Sequence, residues 1–137
     1  ALEDKVNTLA EGLKDCLTDV SKDQFLYVEG AGGFYSPLYA DGLNADLAQQ
    51  LKLPVLLIAD DKLGCINHVL LTIEAIKHRG LTLLAIVLNQ TSEKEGGSLM
   101  DNQGELQALV ASPVISVGYQ EVLSDVLSQL LSAVMPG

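Results

Sequence analysis

A chain of 137 residues that is 48% hydrophobic but only 4% aromatic, without tryptophan, is expected to form one domain with an aliphatic core rather than an aromatic surface for stacking nucleic-acid bases. Its 18 acidic and 8 basic residues leave a formal charge of −10, which opposes phosphate backbones and anionic membranes, so no nucleic acid and no membrane is an expected partner. Cys16 and Cys65 form neither a disulfide framework nor a zinc pattern, no run reaches the ~18 apolar residues of a membrane span, and no signal peptide is read at the N-terminus, which together predict a cytoplasmic location.

Leu2, Val6, Leu9, Leu13, Leu17 and Val20 recur at spacings of three and four, predicting an amphipathic helix from Leu2 to about Val20. Phe25-Leu26-Tyr27-Val28 reads as a strand, followed by glycines and then by a loop over Phe34 to Asn44, since Pro37 cannot sit in a central strand. Asn44 is expected to cap a short helix through Leu51. Val55-Leu56-Leu57-Ile58-Ala59 is apolar at every position, as parallel strands buried on both faces are, and Ile66, Val69, Leu70, Ile73 and Ile76 place a helix from about Ile66 to His78, stopped by Gly80. A third strand runs over Leu83–Leu88 and ends at Asn89, a polar loop spans Thr91–Gly104, and a short helix covers Glu105–Ala111. Val114–Val117 is a fourth, weaker strand, and Val122 to Leu131 a last helix. The alternation αβαβαβαβα predicts an α/β fold, a parallel sheet sandwiched by helices, in one domain over residues 1–137.

Within that order, Val28-Glu29-Gly30-Ala31-Gly32-Gly33 stands out. In parallel α/β sheets ligands collect beyond the carboxyl ends of strands, where Glu29 would stand. Glycines behind it let a phosphate or carboxylate approach peptide N–H groups, although a tight strand-to-loop turn would use the same residues.

Other chemistries find less support. Gly30, Gly32 and Gly33 with Tyr35 do not complete G-x-G-x-x-G, and no lysine in the chain precedes Ser or Thr, so the phosphate loop G-x-x-x-x-G-K-[ST] is absent from these residues. His68 and His78 share no cysteine or acidic cluster at metal-ligand spacing, and no serine sits in a G-x-S-x-G elbow, which leaves a hydrolase triad without a nucleophile. Asp60-Asp61 reads as a solvated strand end, with contact to a ligand at the carboxyl edge as the alternative.

Taken in sequence, Val28–Gly33, Ser36-Pro37-Leu38, Leu53-Pro54-Val55, Leu63-Gly64-Cys65-Ile66-Asn67-His68, Leu70-Leu71-Thr72 and Val87-Leu88-Asn89 resemble the C-terminal portion of dethiobiotin synthetase. The likeness is close from about Phe25 to Asn89, loose over the first helix and weak beyond. It implies a P-loop NTPase-like sheet, here expected without its first strand and phosphate loop, and a homodimer. It further implies an ATP-dependent ligase that closes the ureido ring of dethiobiotin on 7,8-diaminopelargonic acid with CO2, and the chain alone is expected to be inactive, with no catalytic residue assigned.

By the same resemblance Glu29 binds Mg2+, suiting a hard cation that prefers carboxylate oxygens, and Gly32 lies against the diamine substrate. Asn67, with the backbone at Gly64 and Cys65, binds the substrate's distal carboxylate from the partner subunit, and Asn89 binds the adenine of ATP. Asn67 as a helix cap and Asn89 as a strand-end turn residue are the plainer alternatives. Ser116–Gln120 departs from the family's Gly-Glu-x-Pro pattern beside the base. A dimeric small-molecule binding module without catalysis, or a related amide-forming ligase domain, are the competing functions.

Overall fold

The computed structural model describes residues 8–18, 20–93, 100–121 and 128, and it divides into two compact units. One contains the residues up to Leu53 together with Ala75–Leu81; the other contains Pro54–Glu74 and the residues from Thr82 onward.

In the first unit, α1 (Leu9–Leu17) begins where Thr8 can cap it. The Thr8 hydroxyl accepts the Glu11 N–H at 3.3 Å and the Glu11 carboxylate accepts the Thr8 N–H at 2.9 Å, a reciprocal box that satisfies two donors at the helix start. Asp41 takes the Leu9 N–H at 2.7 Å. The predicted earlier turns of this helix, residues 2–7, lie outside the described residues, and its end falls three residues before the expected Val20. The stretch expected as a bare loop holds a small antiparallel hairpin, β1 (Pro37–Tyr39) with β2 (Gly42–Leu43), which Pro37 can join because it sits at the strand's first position. Tyr39 lays its ring on Gly12 of α1, where a Cβ would overlap the ring atoms.

α2 (Asn44–Leu51) corrects the predicted cap. Leu43 occupies the capping position, Asp46 reaches back to accept its N–H at 2.7 Å, and Asn44 is the first helical residue with its side chain turned elsewhere. Asp46 also accepts from Arg79 at 2.7 Å, and the same guanidinium nitrogen donates to Gln49 at 2.9 Å while its carbon lies 5.4 Å from the centre of the Tyr35 ring.

Phe25–Val28 belongs to neither sheet of the described residues, contrary to the predicted strand. Phe25 and Tyr27 are each 65% exposed, their rings stacked at 6.2 Å. Aromatic and β-branched residues favour strands by fitting a pleated, half-buried surface, and without a paired neighbour that preference has nothing to act on.

The second unit is the parallel sheet: β3 (Val55–Asp60), β4 (Leu83–Asn89) and β5 (Val114–Val117) in the order β3-β4-β5. The crossover from β3 to β4 is made by α3 (Cys65–His78), that from β4 to β5 includes α4 (Asn102–Leu109). On one face Ile86, Leu88 and Val114 pack with Cys65, Val69 and Ile73 of α3 and Leu106 of α4; on the other Ala85, Val87 and Val117 pack with Leu56 and Ile115. Burial on both faces, expected for Val55–Ala59, is realised in β4 instead, where Ala85 to Leu88 have no exposure; among the described residues β3 is an edge strand, and its Ile58 is half exposed.

Gly80 ends α3 as expected, at φ 71°, with the Leu81 N–H returning to the Ile76 carbonyl at 3.1 Å in the usual left-handed helix stop. α4 starts three residues earlier than predicted because Asp101 caps it, accepting the Gly104 N–H at 2.9 Å. The last predicted helix, from Val122 to Leu131, lies outside the described residues save for Ser128.

Candidate ligand-binding site

Both glycine-bearing turns named by the sequence are built as exposed turns, one in each unit. In the first unit Glu29, Gly30, Ala31, Gly32 and Gly33 are exposed, and Gly32 takes φ 80°, a left-handed conformation that suits glycine. Glu29 makes no hydrogen bond or ion pair among the described residues, so its carboxylate oxygens keep their acceptor capacity. Ser36 closes the turn: its N–H donates to the Gly33 carbonyl and its hydroxyl accepts the Gly33 N–H, both at 2.9 Å.

Asn44, which sequence reasoning treated as a cap, holds this loop from behind. Its Nδ2 donates to the carbonyls of Ala31, Gly33 and Ser36 at 2.8, 3.0 and 3.1 Å. The sequence carries no signal for this role, because the carbonyls of an exposed turn can be satisfied by water.

In the second unit the carboxyl ends of the strands converge. Asp60 and Asn89 are register partners, Asn89 is paired in turn with Val117, and the Asn89 carbonyl accepts the Asp61 N–H at 2.9 Å. Asp60 accepts the Thr91 hydroxyl at 2.7 Å and lies 3.4 Å from the Lys62 ammonium. The Thr91 hydrogen bond holds the Asp60 carboxyl below its ordinary range, opposed by burial and helped by Lys62. The Asn89 side chain is half-buried and makes no hydrogen bond among the described residues, which leaves its amide able to donate and accept.

Gly64, at φ 89°, turns the chain into α3, and the Cys65 N–H is taken by the Lys62 carbonyl at 3.1 Å. The N–H groups of Ile66 and Asn67 have no acceptor among the described residues, as expected of a first helical turn. Asn67 is the third residue of the helix, past the capping position, and is exposed. Cys65 is buried, and that burial pushes its thiol above the ordinary value, so it packs as a small apolar side chain.

A second residue missed from sequence is Asn102, 8% exposed at the start of α4. Its Nδ2 donates to Asp61 at 2.8 Å and reaches the Lys62 carbonyl at 3.4 Å, tying down the turn that leads to Gly64 and Cys65. Among the described residues no cluster of three or more His, Cys, Asp or Glu could hold a metal by itself. Glu29 alone fits an ion that takes one or two protein carboxylates and completes its shell with water and phosphate oxygens.

A family model described as an AAA domain matches residues 3–125. The chain belongs to this AAA-domain family. That family is P-loop NTPase-like, and the expected α/β class with a parallel sheet flanked by helices is the one found. Curated relatives include an ATP-dependent dethiobiotin synthetase of Yersinia pestis bv. Antiqua (strain Angola), 39% identical over 112 residues that make up 82% of this chain and 45% of the relative. Another from Cellvibrio japonicus is 39% identical over 118 residues, 85% of this chain and 51% of its own length. A third, from Anaeromyxobacter dehalogenans (strain 2CP-C), reaches 48% over 82 residues, 60% of this chain and 37% of the relative. The chain spans about half the length of the curated relatives it matches. No helix among the described residues is long and apolar enough to cross a membrane.

Proposed function

We propose that this protein works as an ATP-dependent ligase of the dethiobiotin synthetase type, closing a ureido ring on 7,8-diaminopelargonic acid with CO2 and releasing ADP and phosphate, in the cytoplasm and as a homodimer. The observation that carries the reading is the 39% identity to dethiobiotin synthetases across a chain whose two exposed glycine turns hold the motif residues.

In this reading each group has one task. Glu29 holds Mg2+, and the ion, when bound, neutralises phosphate charge and orients the nucleotide. The exposed backbone at Gly32 lies along the diamine. The Gly64–Cys65 turn, the open N–H groups of the first α3 turn and the Asn67 amide take the distal carboxylate of the substrate bound by the partner subunit; donors at the positive end of a helix suit an anion there. Asn89, with its unpaired amide at a strand end, reads the adenine edge.

Calorimetric titration with 7,8-diaminopelargonic acid, and separately with ATP and Mg2+, tests the reading. Both ligands are expected to bind, and Asn67→Ala is expected to weaken the diamine by roughly tenfold to a hundredfold, the worth of a hydrogen bond to a charged group, with dimerisation unchanged by sedimentation. Unaltered diamine binding in Asn67→Ala would remove Asn67 from the site. Binding of the diamine without ATP would favour the non-catalytic module.

A further inference from the structure

The geometry points to Asn44 as the residue that positions the Glu29–Ser36 loop for its ligands; the inference rests on the proposed function for what those ligands are, and on the loop's own bonds for the rest. The Asn44 side chain is 9% exposed, and its one amide nitrogen serves the Ala31, Gly33 and Ser36 carbonyls. Two N–H hydrogens among three acceptors means one of them is shared. Its backbone N–H goes to Ser36 at 3.0 Å and the next N–H, of Ala45, to Phe34 at 2.8 Å. Four carbonyls of the loop, from Ala31, Gly33, Phe34 and Ser36, are thus gathered onto the first residues of α2.

The consequence for ligands is directional. With their carbonyl oxygens drawn to Asn44 and Ala45, the loop residues keep the Ala31 and Gly32 N–H groups without acceptors among the described residues, in an exposed segment that also carries the Glu29 carboxylate. Of these, Glu29 and the backbone at Gly32 are the groups the proposed function assigns to magnesium and diamine. Within the loop's own sequence only Ser36, bonded to Gly33, constrains the turn, and the glycines otherwise permit many orientations.

Gly30 holds the clamp from its far side. The Asn44 Oδ1 is buried, has no hydrogen-bond partner among the described residues, and lies against Gly30 where a Cβ would overlap it. A side chain at position 30 would therefore push the amide off its three acceptors. Asn44→Asp keeps the shape but turns an oxygen with no hydrogen toward three carbonyls; Asn44→Ala removes the donor altogether.

Hydrogen–deuterium exchange and calorimetry on the same samples decide the matter. Asn44→Asp, Asn44→Ala and Gly30→Ala are expected to speed exchange of the hydrogen-bonded Gly33, Ser36 and Ala45 amides by about tenfold or more, to leave exchange in α1 unchanged, and to weaken 7,8-diaminopelargonic acid by about tenfold. Gly30→Ala should add little on top of Asn44→Ala, since no amide remains to displace. In Asn44→Asp the exchange ratio to the parent should fall as acid protonates the new carboxyl and returns one donor, a pH profile that simple loss of packing would not produce. Exchange and affinity within twofold of the parent in both Asn44 variants would overturn the inference, as would faster exchange with unchanged diamine affinity. If the parent protein binds no diamine, the proposed function falls, and loop exchange alone then upholds or overturns the clamp. Should Asn44→Ala fail to fold, Gly30→Ala and Asn44→Asp carry the same comparison.

Discussion

The parallel-sheet unit and the N-terminal unit keep their shapes by different means. Around β4 the burial is apolar and continuous: four successive residues without exposure, flanked by Val69, Leu106 and Val114, so removal from water does the work and polar groups are left at the strand ends. In the N-terminal unit, besides the buried Ala45, Leu47 and Ile76, position after position is fixed by a single polar clamp. Thr8 and Glu11 start α1, Asp41 reaches Leu9, Asn44 holds the glycine loop, and Arg79 bridges Asp46 and Gln49. Apolar burial is forgiving of sequence and nearly direction-free, whereas a clamp works at one geometry. A loop that must present defined N–H groups is better served by the second.

The contrast is broken most severely by opening the sheet core. Leu88→Ala, at a site with no exposure, is expected to cost about 2–5 kcal/mol through lost transfer energy and the cavity left behind, read as a lower urea midpoint. A cost below about 1 kcal/mol would mean the sheet unit is not held by its core in the manner described. Next comes Gly12→Ala. In an exposed helix this exchange gains up to ~1 kcal/mol, but here the new methyl meets the Tyr39 ring, and overpacking is expected to cost about 1–3 kcal/mol instead. Combined with Tyr39→Ala the sign should revert, Gly12→Ala then stabilising relative to Tyr39→Ala alone in thermal melts.

What could be read from the sequence divides along the same line. β4, β5, most of α3 and the Gly80 stop follow from apolar periodicity and one glycine, because those elements answer to burial and local propensity. Family membership was legible too, from the ordered run of motifs between Val28 and Asn89. Phe25–Val28 misled because strand propensity says nothing about whether a neighbour is present to pair. Asn44 and Asn102 escaped because an asparagine is chosen there by where distant carbonyls and a carboxylate come to lie, as Asn102 meets Asp61 from 41 residues away. α4 begins at Asn102 and not Glu105 because Asp101 caps it, a signal that the sequence does carry.

The smallest expected effect compares one carboxylate from each unit. Asp46 and Asp60 both sit below their ordinary range, but for different first reasons: the Leu43 backbone N–H for Asp46, with Arg79 second, and the Thr91 hydroxyl for Asp60, with Lys62 behind it. A carboxylate lowered in the folded state contributes stability that is complete above the unfolded value of about 4 and is lost as pH falls through the folded one. Removing its leading partner should raise the folded value and shrink the acid loss. Thr91→Val takes away the leading partner of Asp60, whereas Arg79→Met leaves Asp46 its backbone donor. Carbon-detected NMR titration should therefore show Asp60 moving further upward in Thr91→Val than Asp46 moves in Arg79→Met, with the stability profile below about pH 4 flattening more in the first variant. The reverse order would mean that Arg79, and not the helix-start N–H, fixes Asp46, making the clamp between 46 and 79 the stronger of the two.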